Sequence, residues 1–179
     1  MISEKLQLDA IDKKIISLIQ KDPNMTHTKI AKEIDRSQPT VGMRIKKLED
    51  SGVLQFQPGI NFKNVELNLG IVELKAKNPD EIMVMAKYCP FMLNAFRVSG
   101  DHNLCIMLSS SSLQKLDNVV NYHFRDNPDI KDVSMNICTE IAKDLILPID
   151  FDSEDHNPSL EDGCGEKCKY RKIKNEGKL

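Results

Sequence analysis

The segment Ser37-Gln38-Pro39-Thr40-Val41-Gly42-Met43-Arg44-Ile45-Lys46-Lys47-Leu48-Glu49 carries the densest chemistry in this chain of 179 residues. If Val41, Ile45 and Leu48 are buried on one side of a helix, Gln38, Thr40, Met43, Arg44 and Lys47 stand on the other. Short polar side chains near a helix start reach base edges in a major groove, and cations behind them meet phosphate or guanine. Gln38 and Thr40 suit the first role, and Arg36, Arg44, Lys46 and Lys47 the second. Gly42 costs the helix about 1 kcal/mol relative to alanine, a cost that close approach of another backbone or of DNA explains. The plain alternative is a solvated amphipathic helix that binds nothing.

Two further clusters invite chemistry. Ser99-Gly100-Asp101-His102-Asn103 is either an ordinary polar turn or a ligand loop, because the same residue types serve both. Five cysteines are present, an odd number that argues against a disulfide framework. Cys89, Cys105 and Cys138 lie in apolar stretches and read as small core residues. Cys164 and Cys168 lie instead among glycines and cations. They suit a redox pair closing a disulfide, with Lys167 and Lys169 favouring the thiolate. They equally suit half of a zinc site, completed by His156 or by a second subunit, or two idle thiols on a solvated tail. There is no phosphate-cradling glycine loop, nucleophile elbow or zinc-protease helix, so no enzyme is expected.

The formal net charge is −2, with 40% hydrophobic and 29% charged residues. Any nucleic-acid surface must therefore arise from local segregation of charge. Residues 1–21 hold no apolar run for export, and no stretch approaches the length a membrane span needs. The expectation is a cytoplasmic protein without a membrane partner.

The elements that would position these residues follow from spacing. Asp9 predicts an N-cap for a helix over 9–21, with Ile11, Ile15, Leu18 and Ile19 as its apolar stripe. Asp22-Pro23-Asn24 stops it. Thr26 caps a helix over 27–34, Ser37 caps a third with Pro39 in its first turn, and Gly52 closes that one. Val53–Phe56 and Ile60–Phe62 around Pro58-Gly59 suit a small wing hairpin or a linker. Beyond residue 64 the pattern reads strand (71–76), helix from Pro79, strands 93–98 and 104–108, helix 113–124 and strand 133–138. This β-α-β-β-α-β order is ferredoxin-like. Its sheet would carry both helices on one face and leave the other for a second copy of the chain. From Asp150 onward an acidic block precedes a basic one with few apolar residues, which predicts a flexible charged tail. The fold class expected is α+β, with domains over 1–62, 63–151 and 152–179, residues 57–67 being wing or linker.

Several ordered motifs carry a resemblance. Leu8-Asp9-x-x-Asp12-x-x-Ile15, Lys29-Ile30-Ala31 and Ser37-x-x-Thr40-Val41-x-x-Arg44-Ile45-Lys46-x-Leu48-Glu49-x-x-Gly52-Val53 are similar to the N-terminal motif of the Lrp/AsnC (feast/famine) transcription regulators. Leu69-Gly70 and Val98-Ser99-Gly100-Asp101-His102-Asn103 are similar to that family's sensing domain, so the resemblance spans residues 6–151. It implies a winged helix-turn-helix followed by a ferredoxin-like, RAM-type domain. It also implies dimers that often assemble into tetramers or octamers on promoter DNA, and an effector that is usually an amino acid or related metabolite. By position, the resemblance assigns DNA reading to Ser37, Gln38, Thr40, Met43, Arg44 and Lys47, and backbone contact to Thr26 and His27. The effector would lie near Gly100, Asp101, His102 and Asn103, beside Ser99, at a subunit interface. Where many members have Gly-Asp-Tyr-Asp, this chain has Gly100-Asp101-His102-Asn103, and the lost carboxylate weakens the grip on an ammonium group. Two other readings stand beside this one: a thiol- or metal-responsive regulator acting through Cys164 and Cys168, and a ligand-binding or enzyme-accessory protein that does not read DNA.

Overall fold

The computed structural model describes residues 2–177, and the chain divides into two units, residues 1–56 and 57–179. The first unit is helical: α1 (Ile2–Lys5), α2 (Ala10–Lys21), α3 (His27–Ile34) and α4 (Gln38–Asp50). Local chemistry explains each boundary. Asp9 and Asp12 form a reciprocal capping box at the start of α2. The Thr26 and Ser37 hydroxyls accept from the third backbone N–H of α3 and α4. Gly52, at φ +71°, turns the chain out of α4 in the left-handed conformation that glycine adopts without strain. Ile15, Ile19, Ile30, Ile34, Val41, Ile45, Leu48 and Leu54 form one aliphatic core among α2, α3 and α4.

The second unit is built on an antiparallel sheet of β2 (Asn68–Ala76), β3 (Met92–Arg97), β4 (Leu104–Ser110) and β5 (Ile130–Ile137), in the order β3-β4-β2-β5. Helices α5 (Pro79–Met85) and α6 (Leu113–Val120) connect them, and α6 runs on as a π-helical turn over Asn121–Arg125. This is the ferredoxin-like order. Val72, Leu74, Ile106 and Leu108 face Ile82, Leu116, Val119, Val120 and Phe124, so one sheet face is core. Ile71 pairs with Met107 on the alternate positions, and Glu73 with Cys105 and Ser134. This second face is therefore mixed in polarity, with Ile71, Cys105 and Met107 half-buried and Phe96 43% exposed.

Three expectations need correction. The wing hairpin does not form. Instead β1 (Ile60–Asn61) pairs antiparallel with β6 (Ile146–Leu147), and the Phe62 N–H donates to the Leu145 carbonyl at 2.8 Å. Gly59 permits this pairing, since a Cβ there would stand 2.6 Å from the Leu147 backbone. The first unit accordingly ends near residue 56, not 62.

The tail over 152–179 is not a loose appendage either. Its Phe151–Asp155 3-10 turn and α7 (Lys169–Asn175) bracket a docked segment. Cys164, Cys168 and Tyr170 enter the core of the second unit beside Cys89 and Phe124. The Lys115 ammonium donates to the His156 carbonyl at 2.7 Å, the Asn118 amide to the Pro158 carbonyl at 2.8 Å, and Tyr170 Oη to Glu81 at 2.9 Å. The opposed charge blocks pair within the tail, with Lys169 at 2.5 Å from Asp152. Composition averaged over the segment hides the few buried residues that do the docking.

Candidate nucleic-acid interface and sensing turn

Helix α4 exposes what its capping and core residues leave over. Ser37, Gln38, Met43, Lys46 and Lys47 are exposed and Thr40 is half-buried. The Ser37 and Thr40 hydroxyls are 2.8 Å apart, so one donates to the other and the cap and the first outward hydroxyl fix each other's rotamer. Met43 is 69% exposed, one apolar side chain on an otherwise polar edge. Arg36 is exposed and donates to the Asp35 carbonyl at 2.6 Å. Asp35, in the left-handed conformation at φ 52°, makes the tight turn between α3 and α4. Thr26 caps α3, and the His27 ring lies within 3.4 Å of the place a Cβ on Gly42 would occupy. That is an ordinary contact distance to a side chain, so nothing within the unit requires glycine at position 42.

Arg44 behaves differently from the expectation. Its guanidinium lies 2.7 Å from Asp9 and 2.7 Å from Asp12, on the side of α4 that meets α2. Asp12 is 8% exposed and needs a counter-charge. The Asp12 backbone N–H and then the Arg44 guanidinium hold the Asp9 carboxyl below its ordinary value, and the same pairings raise the Arg44 pKa. Arg44 therefore clamps α4 to the capping box of α2, and the candidate DNA surface is Gln38, Thr40, Met43, Lys46 and Lys47 with Arg36 and Ser37. Sequence reasoning passed over Thr28 and Lys32, which line a depression with Arg36, Ser37 and Gln38. Their four-residue spacing on α3 would have placed them on one outward face.

The Ser99–Asn103 turn joins β3 to β4. Gly100 adopts φ +133°, and Asp101 is exposed. Asn103 turns the other way: its amide accepts from the Ala76 N–H at 2.9 Å and donates to the Ala76 carbonyl at 2.8 Å. Both hydrogen-bonding functions are committed to the end of β2, so Asn103 shapes the turn and is not a free ligand group.

Cys164 and Cys168 are free, buried thiols. Cys164 donates to Cys168, which raises its own pKa. The same bond, followed by the Arg171 and Tyr170 N–H groups, lowers that of Cys168 to about 6. His123 Nε2 lies 4.0 Å from the Cys164 sulfur. Burial first, then Lys174, pushes His123 down to about 4, so the ring is neutral at physiological pH. A cavity of about 190 Å³ opens beside these groups, with Glu81, Arg171 and Lys174 at its polar rim. The sequence offered no sign of it, because its walls come from segments far apart in the chain.

Comparison with known proteins agrees with this layout. Residues 8–55 match the family model described as winged helix-turn-helix DNA-binding. An HTH-type transcriptional regulator of Pyrococcus abyssi is 32% identical over 117 residues, covering 63% of this chain and 80% of that protein. The regulator FL11 of Pyrococcus furiosus is 28% identical over 115 residues, covering 62% and 76%. Among solved structures, AsnC of E. coli superposes with a TM-score of 0.64 at 14% identity, over 76% of this chain and 95% of its own. LrpC of B. subtilis gives 0.64 at 22%, over 76% and 97%. A Neisseria meningitidis transcriptional regulator solved with L-Met gives 0.67 at 17%, over 76% and 92%.

Proposed function

The chain belongs to the Lrp/AsnC family of HTH-type transcriptional regulators, and from that premise we propose how it reads DNA and what modulates it. Two chains pair through the sheet of the second unit and present two copies of α4 to successive major grooves, so the target is a pseudo-palindromic promoter site. Higher assemblies, tetramer or octamer, build on that dimer. Gln38, Thr40 and Met43 meet base edges, Met43 against a thymine methyl. Arg36, Lys46 and Lys47 meet phosphates, with Thr26, His27 and Ser37 close to the DNA backbone. Arg44 is outside this set because its charge is spent on Asp9 and Asp12. The observation that carries the reading is the outward edge of α4, polar and cationic apart from the exposed Met43.

The effector is a small molecule of the amino-acid class, bound near Ser99, Gly100, Asp101 and His102 where two subunits meet. Support comes from the resemblance of this turn to the family's sensing loop and from the L-Met complex of the Neisseria protein.

Fluorescence anisotropy on promoter fragments selected from genomic DNA tests this. Lys47→Ala should weaken binding to all fragments alike and lower the salt slope by about 1. Gln38→Ala should instead flatten preference between the selected site and point variants of it. Affinity and selectivity unchanged in both variants would remove α4 from the groove.

A further inference from the structure

Three thiols and one imidazole are gathered within the core of the second unit: Cys89, Cys164, Cys168 and His156, each less than a tenth exposed. Cys164 and Cys168 are hydrogen-bonded, and Cys89 lies close enough to feel the charge of both. Cys168 in turn senses His156. His156 packs edge-on against Phe91, two residues from Cys89. Its Nδ1 lies 2.6 Å from the Asp152 carbonyl, which can only accept, so Nδ1 carries the proton. Nε2, the other ring nitrogen, is buried without a partner. An orphaned imidazole nitrogen is costly in a core. A ring fixed by its other nitrogen on a backbone carbonyl, with Nε2 free, is the arrangement of a metal ligand.

Local backbone geometry fits the same role. Gly163 and Gly165, both in the left-handed conformation at φ +58° and +67°, flank Cys164. The Cys168 N–H returns to the Gly165 carbonyl, so the segment folds into a tight knuckle. The tail buries few side chains, Cys164, Cys168 and Tyr170 among them, and metal binding would add folding energy directly to that docking.

We propose that Cys89, Cys164, Cys168 and His156 bind Zn²⁺ as a Cys₃His structural site that pins the tail to the domain. Three thiolates and one imidazole are a tetrahedral donor set suited to zinc. As the side chains lie, no three of the described His, Cys, Asp and Glu residues converge on a common point. Binding therefore requires the thiols and the His156 ring to rotate toward one another. His123 stays outside the set, as the neutral ring beside Cys164.

The test uses the full chain, prepared without oxygen, stripped with a chelator and titrated with Co²⁺ and then Zn²⁺. The expected result is the intense visible absorption of tetrahedral thiolate-bound cobalt, displaced by a single Zn²⁺ per chain. Cys89→Ser, Cys164→Ser, Cys168→Ser and His156→Gln should each weaken binding roughly tenfold or more. Cys105→Ser, Cys138→Ser and His123→Gln should leave it unchanged. A faint octahedral cobalt spectrum or no uptake by the reduced protein overturns the site, as does a Cys164–Cys168 disulfide whose reduction restores no binding. Dependence on His123 in place of His156 also overturns it. Spectrum and stoichiometry are read on the unsubstituted chain, so a variant that fails to fold does not blunt the test. Promoter binding through α4 can succeed or fail independently.

Discussion

At the residue scale, Arg44 decides between two kinds of cation. A positive charge on the outward-looking half of a helix is ordinarily a DNA contact or a solvated group. Here it answers a nearly buried carboxylate on another helix. Arg44→Ala should therefore lower stability by about 1–2 kcal/mol, at the low end of what hydrogen bonds to charged groups contribute because Asp9 and Arg44 are part-exposed, read as a shifted denaturant midpoint, with lost DNA binding following from the loosened unit. Unchanged stability with lost binding would restore Arg44 to the DNA surface. The same clamp predicts a pH dependence. The Asp9 pKa is depressed on folding, so its contribution is present above the ordinary value of 3.8 and is lost as pH falls through the folded value. Circular dichroism of the full chain in acid should show this loss, and Arg44→Ala should flatten it by returning Asp9 toward its ordinary value.

At the scale of elements, the helices of the first unit are self-explanatory and the tail is not. Asp9, Thr26 and Ser37 cap helices that begin one residue later, because capping is chemistry between neighbours in sequence. The tail depends on partners 40 to 93 positions away, as in Asn118 with Pro158 and Lys174 with Glu81. Gly163 is its most constrained point. A Cβ there would stand 2.4 Å from the Tyr122 ring, on a backbone at φ +58°. Gly163→Ala should expose the tail to limited proteolysis at lower protease concentration, while α4 retains its DNA affinity. Equal resistance of variant and native chain would mean that the knuckle tolerates the side chain by shifting Tyr122.

At the scale of the whole molecule, the proposed pairing of two chains rests on the second face of the sheet. Ile71 and Met107 sit opposite each other on it, with exposed Phe96 nearby on β3. An antiparallel sheet with helices on one side leaves such a face to solvent or to a partner. Met107→Glu places a charge at its centre and should yield a folded monomer by light scattering, with DNA affinity reduced because two linked half-sites become one. A dimer that survives this change would put the interface elsewhere on the domain. No described helix is long and apolar enough to cross a membrane.

The residue order by itself determined the helix-turn-helix, the ferredoxin-like strand order and, Arg44 excepted, the outward side chains of α4, because periodicity, caps and turn glycines act over a few residues. Only the tertiary structure decided that Arg44 faces Asp12, that Ile60–Asn61 pairs with Ile146–Leu147 and not with its own neighbours, and that the tail is docked. It likewise brought Cys89, His156, Cys164 and Cys168 into one core. Each of these depends on free energy gained between segments 32 to 93 positions apart, which no local pattern encodes: a charge, an edge strand or a thiol becomes specific only when the fold has placed its counterpart.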